Sequence, residues 1–514
     1  MKYNKILTAL VGASVLSFSC TKLDESLRDS LSSESASVTA AGLLQTAYES
    51  FNTPLMDQSR VWAGQEHTTD EALGPTRGPD WDDNGVWRVL HAHTWNADHA
   101  FLRDTYRELL GAQFAATSVL LRNPTPDQVA QAKFLRALST FYVLDMWNQV
   151  PYRTDLSDYG ILPPTIEGSA AADTIIQELN AVIAEPTLAN ANPIKASKDG
   201  AKALLMKTYL NRGVYAKRDA PTFAASDMDQ VIKLADEIIA SGRYTLNPSY
   251  FQTFAANNSI ANKEIIFSLE NTVGVRGGNN RFFWFCTLHY NQQPSGWNGF
   301  TTLADFYDKF EAADQRRTAD YPGVTSVTGL KVGLLSGQQY NQNGVALNDR
   351  QGNALAFTRQ VALKETGSNL EITGIRVVKY PPDFQHGIDG NAENEVVILR
   401  YADVLLMKAE ALLRKGDAAG GLTIVNQLRS VRGATPLAAL TADNLLAERG
   451  REFYWEGWRR NDMIRFGKFL DALTAAPGTT STRPVKSGPE RLLFAIPNQQ
   501  LSVNPNLVQN PGYQ

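Results

Sequence analysis

The sequence predicts a mostly α-helical chain, with helix pairs toward both ends and a loop-rich middle that carries short β-strands. Three observations predict it. Apolar residues recur at three- and four-residue spacing through residues 127–147, 201–213, 228–240, 402–413, 422–431 and 445–457. Small side chains alternate with large ones along those stretches, as at Ala203, Tyr209, Ala402, Ala409 and Ala411. That composition suits closely packed, degenerate helix pairs of the tetratricopeptide kind, without a strict repeat of about 34 residues. Residues 257–400 change texture, being rich in Gly, Asn and aromatic residues.

The elements follow in order. Lys2 and Lys5 precede a short, mostly apolar stretch, residues 6–16, too short to span a bilayer. Residues 1–19 therefore read as an export signal. The run Leu16-Ser17-Phe18-Ser19-Cys20 ends in a small residue and then Cys, the form of a bacterial lipobox, so Cys20 is the expected lipidated N-terminus. Residues 20–37 are a polar, Ser-rich tether, and 38–514 are expected to form a single domain. Its helical pairs occupy about 38–250 and 398–470, and a loop-rich ligand region about 257–397.

Within the first helical part, Thr125 can cap and Pro126 can open the helix over 127–147, where Phe134, Leu138, Phe141, Leu144 and Asp145 share a face. Gly213 and Gly242 are placed to end the next two helices. In the middle, residues 264–269 and 375–379 have β-like composition. Toward the end Gly416 and Gly433 stop two helices, and a third is expected over 445–457. Glu448, Glu452 and Glu456, four apart, would share one helical face; like charges so placed require cationic partners, which Arg400, Arg449, Arg451, Arg459 and Arg465 can supply. A structural ion network is expected there, not a catalytic array.

Composition excludes several functions. Net charge is −4 with Lys and Arg dispersed, so no basic face for nucleic acid is present. With Cys20 lipidated, only Cys286 remains, no intrachain disulfide can form, and Cys286 reads as a buried small hydrophobe. His91, His93 and His99 do not form a metal set, because residues two apart point different ways on a helix. No His-Glu-x-x-His, phosphate-binding loop or nucleophile elbow occurs. No metal, no cofactor and no catalytic residue is expected.

Five blocks resemble the SusD/RagB family. Arg136-Ala-Leu-Ser-Thr-Phe-Tyr-Val-Leu-Asp-Met-Trp-Asn-Gln-Val-Pro-Tyr152 is similar to its helix ending in a Pro-Tyr turn, and Ile398-Leu-Arg-Tyr-Ala-Asp-Val-Leu-Leu-Met-Lys-Ala-Glu-Ala411 to its most characteristic segment. Asn426 to Arg432, Glu448 to Arg459 with Asp462 to Arg465, and Ile496-Pro497 with Asn504 to Tyr513 follow in the family's order. The resemblance implies four tetratricopeptide-like pairs with a loop-rich part packed on them. It also implies a lipoprotein on the outer face of the outer membrane, serving as lid to a SusC-like TonB-dependent transporter and delivering oligosaccharide or peptide. A glycan binder is expected; a peptide-binding relative is the alternative, and a surface glycoside hydrolase a more remote one.

Sugar capture needs aromatic faces for C–H surfaces and amides for the hydroxyl rim. Two clusters offer them: Trp81, Trp95 and Asn96, and Trp284, Tyr290, Trp297 and Asn298. Trp297 and Asn298 lie between Gly296 and Gly299, an expected surface turn. Burying about 100 Å² at one ring contributes at most about 2.5 kcal/mol before ordering losses. Trp147, Trp455 and Trp458, inside helical blocks, read as scaffold.

Overall fold

The computed structural model describes residues 39–153, 160–256, 258–272, 280–386 and 392–513. The expected signal, Cys20 and the tether lie outside the described residues. Among those described, eight helices form one array: α1 (Ala40–Glu49), α2 (Ala100–Val119), α3 (Pro126–Trp147), α4 (Gly168–Ala184), α5 (Lys198–Ala216), α6 (Ala225–Ala240), α7 (Tyr401–Arg414) and α8 (Ala418–Val431). Each packs against its neighbour in chain order, giving four successive pairs. Helix α7 packs on α6 although residues 241–400 intervene, so the loop-rich part is an excursion from a continuous helical stack. The fold is mostly α, as its periodicity and small-residue pattern predict. Two further helices follow, α9 (Ala442–Phe453) and α10 (Arg459–Arg465).

Local chemistry accounts for the boundaries. Thr125 accepts the Gln128 backbone N–H, and the Gln128 side chain accepts the Thr125 N–H, so two orphan donors at the start of α3 are satisfied reciprocally. Phe134, Leu138 and Phe141 on that helix are fully buried. Gly242, Gly416 and Gly433 adopt the left-handed conformation just past their helices, as expected. Gly213 does not end α5, which runs on to Ala216. A Cβ there would lie 1.8 Å from the Thr222 carbonyl oxygen, so this glycine serves close backbone approach. Helix α9 stops at Phe453, short of the expected 457, because Trp455 and Gly457 take positive φ. Glu456 therefore leaves the helical face of Glu448 and Glu452.

The loop-rich part contains β1 (Ile265–Leu269), β2 (Val332–Leu335), β3 (Arg376–Val378) and β4 (Val396–Arg400). Strands β1 and β4 pair antiparallel, as do β2 and β3. Strand β4 runs straight into α7, which fixes the excursion to the stack at its exit.

Buried ion pairs fasten the two parts together. Arg316, Arg400 and Arg432 converge on Glu452 at 2.9, 2.7 and 2.8 Å. Arg400 also reaches Glu264 at 2.7 Å and Glu456 at 2.8 Å, Arg316 reaches Asp314 and Glu448 at 2.7 Å, and Lys379 meets Glu456 at 2.5 Å. Glu264, Asp314, Arg316, Lys379 and Arg400 belong to the loop-rich part and Arg432, Glu448, Glu452 and Glu456 to the helical C-terminal part, so Arg316–Glu448, Arg316–Glu452, Arg400–Glu452, Arg400–Glu456 and Lys379–Glu456 cross the boundary. The expected structural network is present, and it includes residues that spacing alone could not supply.

Burial also sets a pH response. It lowers five of the six histidines, His67 and His91 to about 3 and His93, His99 and His289 in the same direction. Burial alone would raise Glu448 and Glu410; the guanidinium groups of Arg316, Arg451 and Arg429 around the first, and of Arg465 and Arg414 around the second, outweigh it and hold both at about 2. Stability from the histidines is present above 6.5 and lost as pH falls toward 3, and that from the two carboxylates is lost below 4.5. Glu66, raised by burial to about 7, and Glu71, raised by burial and by the Glu66 charge, act oppositely: they favour the fold below 4.5 and cease to do so as pH rises through 7. Five groups outnumber two. The melting temperature should therefore already be lower at about pH 5 than at about pH 7, and should fall steeply below about 4.5. A calorimetric series flat between pH 7 and 5 would contradict this assignment.

Candidate functional site

Seven of the nine tryptophans are buried, and the other two meet at the surface. Trp297 is 39% exposed and Trp81 half-buried; their ring centroids lie 6.5 Å apart at 46°. The Trp81 indole N–H donates to the Trp297 carbonyl oxygen at 2.9 Å. Beneath them Phe300 lies 5.0 Å from Trp81 and Trp87 lies 5.8 Å from it, and Phe300 stacks on Trp62, which in turn contacts Trp455. The platform is the outer end of an aromatic column rooted in the core.

Backbone packing creates it. The N–H groups of Trp297, Asn298, Gly299 and Phe300 donate to the carbonyl oxygens of Phe285, Leu288, Cys286 and Cys286, laying this segment flat on the preceding turn. A Cβ at Gly296 would lie 2.2 Å from the Leu288 carbonyl oxygen, and one at Gly299 would lie 2.3 Å from the Trp81 ring. Both glycines therefore serve close approach, and the expected surface turn is a clamped one. Trp81, Asp83, Asn84 and Asn298 all take positive φ, a concentration of non-glycine residues in a conformation that costs about 1–3 kcal/mol each when unsupported.

The expected residues divide. Trp81 and Trp297 meet on the platform, and Tyr290 bonds to Asp80, the residue before Trp81. Tyr290 is half-buried, its hydroxyl donates to Asp80 at 3.4 Å, and the Arg350 guanidinium sits 3.9 Å from its ring centroid. Three others need correction as surface contacts. Trp284 is 1% exposed within the Phe283–Phe285 cluster. Trp95 is 2% exposed, packed on Phe494 with its N–H given to the Tyr513 hydroxyl, because its segment meets the C-terminal segment of the chain. Asn298 is buried and accepts from Arg376 at 2.8 Å, so it braces the platform from below. Asn96 is exposed and lines a cleft of about 600 Å³ with Asp83, Asn84 and Asp98, beginning two residues beyond Trp81.

Sequence reading did not single out Arg281, 4.7 Å above the Trp297 ring, or Arg350. Arg350 is in turn tied to Glu371 at 2.6 Å. Burial alone would raise Glu371; the Arg350 backbone N–H, His289 and the Arg350 side chain outweigh it and hold the carboxyl below its usual value. No sequence signal marked either arginine, since each is placed by tertiary contact.

His91 and His93 are buried and bonded to Thr482, Ser487 and backbone carbonyls, which accounts for both without an ion. Cys286 is fully buried, and burial pushes its thiol pKa up. A larger cleft of about 990 Å³ lies between Asn148, Arg218, Glu490 and Asn510, but its one aromatic, Tyr215, is buried and offers no stacking face.

A stack of helix pairs, with a loop-rich layer clamped to it by buried ion pairs and a tryptophan platform on that layer, defines the class. Residues 263–513 match the model of the SusD family. Starch-binding protein SusD of Bacteroides thetaiotaomicron is 26% identical over 431 residues, 76% of this chain and 73% of that protein. SusD-like protein P25 of Formosa agariphila is 24% identical over 464 residues, 84% and 81% of the two. Among solved structures, a SusD superfamily protein from Parabacteroides distasonis has a TM-score of 0.72 at 20% identity, covering 92% of this chain and 98% of that one. Surface glycan-binding protein A from Bacteroides thetaiotaomicron, in complex with laminarihexaose, has 0.69 at 18% with the same coverage. These structures share the fold.

Proposed function

We propose that the protein binds extracellular oligosaccharide or polysaccharide without cleaving it and passes it to a SusC-like TonB-dependent transporter. It is held at the outer face of the outer membrane by lipid on Cys20. One observation carries the binding claim: the two tryptophans not used by the core are adjacent, with Arg281 over the Trp297 ring and Asp80, the neighbour of Trp81 in the chain, bonded to Tyr290. Two angled rings suit the C–H faces of a bent glycan, and polar side chains beside them its hydroxyls. The relatives named above for binding starch and glycan support the same reading.

The non-catalytic reading has its own support. Surface carboxylates of the platform are committed: Asp82 to Arg88, Asp83 to the Trp87 indole N–H, Asp80 to Tyr290. The raised carboxyl pair, Glu66 and Glu71, is sealed in the core where no glycosidic bond can reach.

Calorimetric titration against a panel of neutral and acidic polysaccharides tests the proposal, with product analysis of each mixture. Saturable binding without new reducing ends is expected. Trp297→Ala should weaken it roughly 10- to 70-fold, the value of one ring's apolar burial. Reducing ends that accumulate with time would overturn the non-catalytic reading, and binding confined to peptides would overturn the ligand class.

A further inference from the structure

We propose that Asp383, His386 and Glu393 hold a divalent transition-metal ion of the zinc class, at a site sharing no residue with the platform. The His386 Nδ1 lies 3.2 Å from an oxygen of Asp383 and 3.2 Å from an oxygen of Glu393, and the three atoms fall within 4.8 Å of one another. Zinc binds imidazole nitrogen and carboxylate oxygen at about 2.0–2.2 Å, which sets neighbouring ligand atoms roughly 3–3.5 Å apart. The two distances from the His386 nitrogen already have that spacing.

The charges suit a cation at the centre: two carboxylates face one imidazole nitrogen, and a metal ion there would take an oxygen from each and the nitrogen lone pair together. One nitrogen and two oxygens form a borderline donor set, which suits zinc and its neighbours; calcium and magnesium favour all-oxygen cages. No lysine or arginine among the described residues pairs with Asp383 to take that role.

The ligands are also held in place. Asp383 is buried, and its oxygens accept the backbone N–H groups of Gln385, His386 and Glu393, which fixes one carboxylate relative to both other ligands. The His386 side chain is 35% exposed and that of Glu393 15%, leaving an open side where water completes the coordination. Bound metal would tie Asp383 and His386 to Glu393, shortly before β4, the strand that carries the chain back into the helical stack.

The test uses the full chain in detergent, without a histidine tag and stripped with chelator. Zinc chloride is titrated calorimetrically, and cobalt(II) is added in parallel to read ligand-field absorption. One equivalent per chain is expected. Both His386→Ala and Glu393→Gln should weaken binding by more than the roughly 10- to 100-fold that loss of an outer-shell partner costs. His386 lies at the surface, and a circular dichroism melt confirms that the variant folds. Absence of saturable zinc binding, or binding unchanged in both variants, overturns the site and leaves the triad a hydrogen-bonded clamp.

Discussion

Glu452→Ala is expected to leave the chain at or beyond the edge of folding, with a loss of about 3–5 kcal/mol against a total of about 5–15. The carboxylate is fully buried and accepts from Arg316, Arg400 and Arg432. Its removal leaves three buried guanidinium groups sharing the remaining carboxylates of Glu264, Asp314, Glu448 and Glu456. Replacing a whole buried network by apolar groups can be neutral, whereas removing one partner strands the others, and this substitution is of the second kind. Glu452→Gln keeps the shape and removes only the charge, so it separates electrostatics from packing. It should also lower the urea midpoint markedly. Lys468→Ala, which breaks an exposed pair with Asp443, should leave the midpoint unchanged. Equal midpoints for Glu452→Gln and the parent would remove the network as the fastening between the loop-rich layer and the helical stack.

That network also shows where sequence reading reaches its limit. Local signals were legible: the Thr125–Gln128 cap, the stop glycines 242, 416 and 433, and the apolar faces of α3 and α7 each depend on residues a few positions apart. The clustered glutamates announced that cations must surround them. Which cations did so was legible in part: of the five named, Arg400 and Arg451 pair with them, whereas Arg449, Arg459 and Arg465 pair with Asp462, Asp70 and Glu410, and Arg316 arrives from more than a hundred residues away. The same limit governed the site. Nine tryptophans look alike in sequence, and burial of Trp95 and Trp284 is decided by the C-terminal segment and the Phe283–Tyr380 stack, both distant along the chain. Trp297 was legible because two flanking glycines mark a place where backbone must come close, although they clamp the turn and do not free it.

Gly299→Ala is the sharpest probe of that clamp, and it is expected to abolish most glycan binding through a residue that no ligand need touch. The new Cβ would lie 2.3 Å from two carbons of the Trp81 ring and 2.8 Å from the Cys286 carbonyl oxygen, closer than real contacts permit. Trp81 is half-buried and the more movable neighbour, so its ring swings away from Trp297 and its N–H bond to the Trp297 carbonyl breaks. Overpacking of this kind costs about 1–3 kcal/mol in stability, and binding should fall to the level of Trp81→Ala. The two effects are separable in a double-mutant cycle. In a Trp81→Ala background the ring is gone, so Gly299→Ala should cost less, with a coupling of about 0.5–3 kcal/mol in urea midpoints. Its additional effect on affinity should vanish there. The contact with the Cys286 oxygen persists in both backgrounds and sets the part of the loss that does not cancel. If Gly299→Ala binds glycan as the parent does, Trp81 is a wall of the core and Trp297 must act without it.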